Sequence, residues 1–166
     1  MSKLRMAIFS LLYISGACSA SDSGTVHVTG NLLTSTCTVS GGSDLTFNLD
    51  SVTKSDLPDV DSTAGRQEQS IQLSCDADTK INMTVNADSD SSDNTIINNT
   101  GTAQGVGLQL LDVTNNSTPI KMGVTWTVIG DSTQVETIPI AAQYIRTGNL
   151  VAGTVKATAT YTLDYE

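Results

Sequence analysis

Three cysteines, a single histidine and a run of aspartates are the residues of this chain that could carry chemistry. His27 has no GxSxG or HExxH motif to accompany it, so neither a serine hydrolase nor a zinc hydrolase site is indicated. Asp88, Asp90 and Asp93 are spaced carboxylates that could bind Ca²⁺, but their segment lacks the glycine and the terminal glutamate of a calcium loop. We therefore expect no enzyme activity, no metal site and no cofactor.

The N-terminal segment has the pattern of a secretory signal peptide. Lys3 and Arg5 precede the apolar run Met6–Ile14, and small residues lead to a plausible cleavage site after Ala20. The apolar run is too short to be a stable membrane anchor. We expect residues 1–20 to be removed, which leaves no integral membrane segment in the mature chain.

Cys18 allows a second interpretation of this segment, as the lipidated cysteine of a lipoprotein. A lipobox has a large aliphatic residue three positions before its cysteine, and Ser15 occupies that position here. We therefore favour a signal peptide in which Cys18 and Ala20 are the small residues before the cleavage site.

Two cysteines, Cys37 and Cys75, remain after this cleavage. Export delivers them to an oxidising compartment, where an isolated pair predicts a disulfide. A metal pair would need neighbouring ligands and a redox pair a short CxxC spacing, and the sequence has neither. We expect the bond to stabilise the fold by about 3–4 kcal/mol.

The charge of the mature chain limits its partners. The full chain has eight basic and 17 acidic residues, and cleavage removes Lys3 and Arg5, so the net charge changes from −9 to −11. Such an acidic chain has no electrostatic complementarity to nucleic acid or to an anionic membrane. We expect neither as a partner.

Apolar and polar residues alternate in short segments along the chain. This period of two is typical of strands with one buried face, and the abundance of Thr, Val, Ser and Asn favours strands and turns over helices. Turn-rich stretches lie between the segments, among them Asp56–Gly65, Asp88–Gly105 and Arg146–Asn149. Seven or eight short strands without helices predict one antiparallel β-sandwich domain. The alternating segments include Ile71/Leu73, Ile81/Met83/Val85, Val106/Leu108/Leu110, Val124/Trp126/Val128 and Ile138/Ile140/Ala142.

The alternation is clearest near the C-terminus. From Val155 to Tyr165 every odd position is apolar and every even position is polar. Because chain ends usually fray unless they are tied down, this segment is predicted to be an integral core strand. Its apolar positions are Val155, Ala157, Ala159, Tyr161, Leu163 and Tyr165.

Residues 24–30 show a shorter alternation just after the predicted cleavage site. Gly24, Val26, Val28 and Gly30 share one face of this segment. Such a strand could complete the sheet of its own chain, or it could be an arm that completes the sheet of another molecule.

Four separated stretches of the chain together resemble the pilins of chaperone–usher fibres, such as type 1 and P pili. An antibody-type sandwich matches less well, because Trp126 follows both cysteines instead of lying between them. The matching stretches are Gly24–Gly30 with Cys37 (donor strand and first cysteine), Gln69–Cys75 (second cysteine), Gly105–Asp112 with Thr118–Ile120 (central hairpin) and Gly153–Tyr165 (closing strand).

This resemblance implies an all-β fold, an incomplete immunoglobulin-like antiparallel β-sandwich that lacks its last strand and is completed by donor-strand exchange. It implies a signal peptide at 1–20, a donor-strand arm at 21–33 and a pilin domain at 34–166. In the family a periplasmic pilus chaperone first fills the groove left by the missing strand, and at the outer-membrane usher the arm of a neighbouring pilin subunit replaces it. The chain would then be exported through the periplasm to the cell surface as a structural subunit of a fimbria that supports adhesion.

The resemblance also implies which residues carry assembly. Val26 and Val28 would fill pockets of the groove, while Gly24 and Gly30 would let the arm approach closely. The acceptor groove and chaperone contact would comprise Val155, Ala157, Ala159, Tyr161, Leu163 and Tyr165, with the C-terminal carboxylate of Glu166 held by basic residues of the chaperone. The alternative is a self-contained secreted sandwich that binds a ligand or receptor, in which residues 24–30 pair within their own chain.

Overall fold

A computed structural model of the chain describes residues 36–166. The predicted signal peptide and the proposed arm, with Gly24, Val26, Val28 and Gly30, therefore lie outside the described residues. Within residues 36–166 no helix is long and apolar enough to cross a membrane.

Eight strands and one short 3₁₀ turn make up the described part of the chain. They form a five-stranded sheet in the order β1-β2-β7-β4-β5 and a three-stranded sheet in the order β6-β3-β8, and every pairing is antiparallel. In chain order the elements are β1 (Cys37–Ser40), β2 (Thr63–Cys75), β3 (Ile81–Ala87), β4 (Gln104–Asp112), the 3₁₀ turn Val113–Asn115, β5 (Thr118–Pro119), β6 (Thr125–Ile129), β7 (Val135–Val151) and β8 (Ala159–Tyr165).

The apolar faces of the two sheets pack together into one core. Ile71 and Leu73 of β2, Met83 of β3 and Ile138 of β7 are at most 2% exposed, and they belong to one continuous cluster. These residues come from the alternating segments of the sequence. The prediction of an all-β antiparallel sandwich is therefore confirmed.

The disulfide lies where β1 meets the end of β2. Cys37 and Cys75 are bonded and are register partners in the β1–β2 ladder. The bond closes a loop with a sequence separation of 38 residues, and it ties the first strand of the described chain to the central part of the larger sheet. The predicted pairing is confirmed.

Strand β7 corrects one sequence prediction. The stretch Arg146–Asn149 was expected to form a turn, but it lies inside β7. The ladder is irregular there: pairing with β2 ends at Ile145, and the pairs with β4 pass from Val106↔Arg146 to Gln104↔Val151, so residues 147–150 lie in a register shift. The Arg146 guanidinium donates to the carbonyl oxygens of Leu57 (3.1 Å) and Pro58, which hold the residue at which this irregular part of β7 begins.

A bulge near the start of β2 requires a glycine. The register with β7 shifts between Ala64 and Gln67, and Gly65 has a φ of +67°, a conformation that side chains with a Cβ rarely adopt. A Cβ on Gly65 would also lie 2.8 Å from the ring of Tyr144. The bulge lets this tyrosine ring pack closely against the backbone.

Candidate functional site: an open groove along β8

Strand β8 lies at the edge of the three-stranded sheet. Among the described strands it pairs only with β3, in an unbroken ladder from Ala87↔Ala159 to Ile81↔Tyr165. Its other edge faces no described strand. An edge of this kind presents a row of backbone N–H and C=O groups to which another strand can pair.

The apolar side chains of β8 point toward the core but are not sealed within it. Tyr161, Leu163 and Tyr165 pack against the core cluster and are only half-buried, while the polar residues between them are exposed. Neighbouring Met83, the register partner of Leu163, is 0% exposed. The open edge of β8 therefore leaves apolar surface uncovered.

A second segment faces β8 across the opening. In residues 43–49, which we call the 43–49 rim, Leu45, Phe47 and Leu49 are half-buried and alternate with exposed Thr46 and Asn48. The rim belongs to none of the described strands. Within residues 36–166, no backbone–backbone hydrogen bond outside the strands involves its N–H or C=O groups.

A groove of about 1180 Å³ lies between β8 and the 43–49 rim. Its floor consists of core side chains from both sheets, among them Met83, Val85, Ile97 and Ile140, each at most 3% exposed. The groove thus has an apolar floor, half-buried side chains along both sides, and bordering backbone that is unpaired within residues 36–166. These are the properties of a site for an extended peptide strand.

One hydrogen bond crosses the groove. The Tyr161 hydroxyl donates to the Ser43 carbonyl oxygen at 2.6 Å, which joins β8 to the 43–49 rim. Burial, and secondarily the negative charge of Asp44, raises the pKa of Tyr161 above its ordinary value of 10.0. The hydroxyl is therefore a stable donor at neutral pH.

The end of β8 is fixed by Lys80. The Lys80 N–H donates to the Glu166 backbone carbonyl oxygen at 2.8 Å, and the Glu166 N–H donates to the Lys80 carbonyl oxygen at 2.9 Å. The two side chains form an ion pair at 2.7 Å. The hydrogen bond from Lys80 lowers the pKa of the Glu166 side chain.

The groove-lining residues expected from the sequence occupy one side of the groove. Val155, Ala157, Ala159, Tyr161, Leu163 and Tyr165 all line it, and Glu166 follows directly. The strand itself begins at Ala159 and not at Val155. Residues 155–158 keep the alternation of half-buried and exposed positions without belonging to a described strand.

The other side of the groove was missed by sequence reasoning. Leu45, Phe47 and Leu49 have the same period of two as β8, so the signal was available. It covers only three apolar positions and follows the turn-rich stretch Gly41–Asp44, which made it easy to overlook.

The aspartate-rich loop shows no arrangement suited to a metal. Within residues 36–166 no group of three or more His, Cys, Asp or Glu side chains could hold a metal ion. Asp90 accepts from the N–H of Ser92 at 2.7 Å, and Asp93 accepts from the N–H of Thr95 at 2.9 Å. These carboxylates stabilise turns of their own loop.

The two sheets and the open edge define an immunoglobulin-like β-sandwich with one uncovered side. Solved structures share this fold. The alignment with a chain of a chaperone–usher pilus has a TM-score of 0.66 at 12% identity and covers 91% of this chain and 100% of that chain. The alignment with the P pilus rod subunit PapA has a TM-score of 0.60 at 13% identity and covers 78% of this chain and 99% of that chain.

Sequence comparisons give the family. The family model "Fimbrial protein" matches residues 26–166. The type-1 fimbrial protein A chain of Salmonella typhi is 32% identical, over 96% of this chain and 95% of that protein. The chain belongs to the fimbrial protein family, so it is a structural subunit of surface fimbriae and not an enzyme.

Proposed function

We propose that this subunit polymerises by donor-strand exchange, in which the groove along β8 accepts the N-terminal arm, residues 21–33, of a neighbouring subunit. The observation that carries the proposal is the pair of facing segments, β8 and the 43–49 rim, each half-buried and each with one backbone edge unpaired within the described residues. An added strand would pair with this backbone and cover the apolar floor.

The arm has the composition that the groove requires. Val26 and Val28 lie on one face of the arm, and burial of each contributes about 1.5–3 kcal/mol. Gly24 and Gly30 flank them on the same face and permit close backbone approach. Attachment then comes from main-chain hydrogen bonds, and selectivity comes from the pockets that receive the valines.

The proposal includes two further partners, a periplasmic chaperone and an outer-membrane usher. An exposed apolar edge strand promotes aggregation, so the free subunit would need a protein that occupies the groove during transit through the periplasm. Tyr165 and Glu166 are the proposed chaperone contact, with the main-chain carboxylate of Glu166 bound by basic residues of the chaperone. The secretory pattern of residues 1–20 supports this route.

Charge placed on the groove-facing side of the arm tests the proposal. The double variant Val26→Asp/Val28→Asp would bury two unpaired carboxylates, at a cost of several kcal/mol, so we expect no fibres by electron microscopy while the subunit is still exported. The matched control is His27→Asp/Thr29→Asp, which adds the same charges on the opposite face and should still form fibres. Normal fibres from the first variant would refute donor-strand exchange through these residues.

A further inference from the structure

The groove continues beyond the point where β3 stops supporting its edge. The last register pair of the β3–β8 ladder is Ala87↔Ala159. Residues 155–158, which precede β8, nevertheless line the groove, with Val155 and Ala157 half-buried between exposed neighbours. Another part of the chain must therefore hold this segment extended.

The supporting element is the loop Asn99–Ala103, which we call the clasp. The Thr100 N–H donates to the Lys156 carbonyl oxygen at 2.8 Å, and the Ala103 N–H donates to the Thr154 carbonyl oxygen at 3.0 Å. These two bonds take the place of the β3 ladder on the side of the segment that faces away from the groove.

The Asn99 side chain completes this pairing. Its Oδ1 accepts from the Lys156 N–H at 2.9 Å and from the Gly101 N–H at 2.8 Å, while its Nδ2 donates to the Ala103 carbonyl oxygen at 2.9 Å. One amide thus shapes the clasp and binds the backbone of the groove edge. Asparagine suits this position because its side chain both donates and accepts.

Close packing keeps the clasp against the segment. The Thr154 N–H donates to the Thr102 hydroxyl oxygen at 2.9 Å, and the Thr102 N–H donates to the Thr154 hydroxyl oxygen at 3.1 Å. A Cβ on Gly101 would lie 2.1 Å from the Thr154 carbonyl oxygen, so only glycine allows this approach.

We propose that Asn99 is a positioning residue that extends the groove edge by the four residues 155–158 and thereby sets how many residues of an incoming strand can pair. At about 3.3 Å per residue, the extension adds about 13 Å of edge. This inference rests on the proposed donor-strand exchange. It predicts that Asn99 affects the binding only of strands long enough to reach residues 155–158.

Synthetic arm peptides of different length test this role. The parent protein is the full chain with Val26→Asp/Val28→Asp, so that its own arm does not compete. The probes are peptides of residues 21–33, 25–33 and 21–29, each retaining both valines, and the readouts are the dissociation constant and the rise in unfolding temperature on binding. Asn98→Ala is the control, because within residues 36–166 the Asn98 side chain bonds only the Asp88 carboxylate, at 3.3 Å.

We expect Asn99→Ala to weaken binding of the longest peptide about tenfold. One of the two shortened peptides lacks the end that reaches residues 155–158, and its binding should not change. Asn99→Asp, which keeps the acceptor for Lys156 but loses the donor to Ala103, should give an intermediate loss. Equal weakening of all three peptides, or no weakening of any of them, would refute the role of Asn99 and leave donor-strand exchange intact. If no peptide binds the parent, the proposed donor-strand exchange fails, and this inference fails with it.

Discussion

Strands β3 and β8 are direct neighbours with the same alternation of apolar and polar residues, yet their burial differs. Ile81, Met83 and Val85 of β3 are at most 2% exposed. Their register partners Tyr165, Leu163 and Tyr161 in β8 are only half-buried. The difference arises because β3 lies between β6 and β8, whereas one edge of β8 faces no described strand.

The comparison shows that a periodic sequence determines which face of a strand points inward, but a neighbouring strand determines whether that face is sealed. Sealed β3 contributes to the stability of the subunit on its own. Open β8 and the 43–49 rim retain apolar surface whose burial can stabilise a bound strand instead. If the proposed donor-strand exchange holds, part of the hydrophobic free energy is gained only when the arm of a neighbouring subunit binds.

A large effect is expected from loss of the disulfide, which fixes the strand that leads into the 43–49 rim. Cys37→Ala/Cys75→Ala removes the bond that ties β1, which leads into the 43–49 rim, to β2. We expect the free energy of unfolding to fall by about 3–4 kcal/mol, measured by urea denaturation. Reduction of the unaltered protein is the control and should give the same loss; an unchanged denaturation midpoint would mean that the disulfide does not support this side of the fold.

Matched truncations at Met83 and Leu163 test the comparison itself. Met83→Ala should cost about 2–5 kcal/mol, as expected for a fully buried side chain, and Leu163→Ala should cost less than half as much in the subunit with an empty groove. The measurement is urea denaturation of both variants with and without the arm peptide. Bound peptide should increase the cost of Leu163→Ala more than that of Met83→Ala, and equal costs without peptide would contradict an open β8.

The smallest expected effect concerns the hydrogen bond across the groove. Tyr161→Phe keeps the ring but removes the bond to Ser43, so it should cost about 1 kcal/mol at pH 7. Because the pKa of Tyr161 is raised, its contribution is complete below pH 10 and is lost as the pH rises through the folded-state value.

The measurement is urea denaturation of the parent and the Tyr161→Phe variant between pH 7 and 11. The difference between them should shrink above pH 10. Tyr165→Phe is the control, since the Tyr165 hydroxyl makes no hydrogen bond within residues 36–166, and it should change stability by a few tenths of a kcal/mol. A difference for Tyr161→Phe that persists to pH 11 would refute this role of its hydroxyl.

The alternation over eleven residues, 155–165, predicted an integral core strand, and the resemblance to pilins implied that this strand borders a groove. The 43–49 rim could not be recognised as easily, since it has no described ladder partner and its pattern is short. The clasp was beyond prediction, because its side-chain bonds to Thr154 and Lys156 join residues that are more than fifty positions apart. The stretch Arg146–Asn149, where a turn was expected, lies instead in the irregular part of β7, at its register shift with β4.

Amide hydrogen exchange tests the central claim most directly, that β8 and the 43–49 rim form an open site for the arm. Exchange would be followed in the Val26→Asp/Val28→Asp chain with and without the peptide of residues 21–33. We predict that the peptide slows exchange in residues 43–49 and 155–165 and leaves the ladder between β2 and β7 unchanged. Full protection of residues 43–49 and 155–165 before the peptide is added, with no further change on binding, would contradict the account.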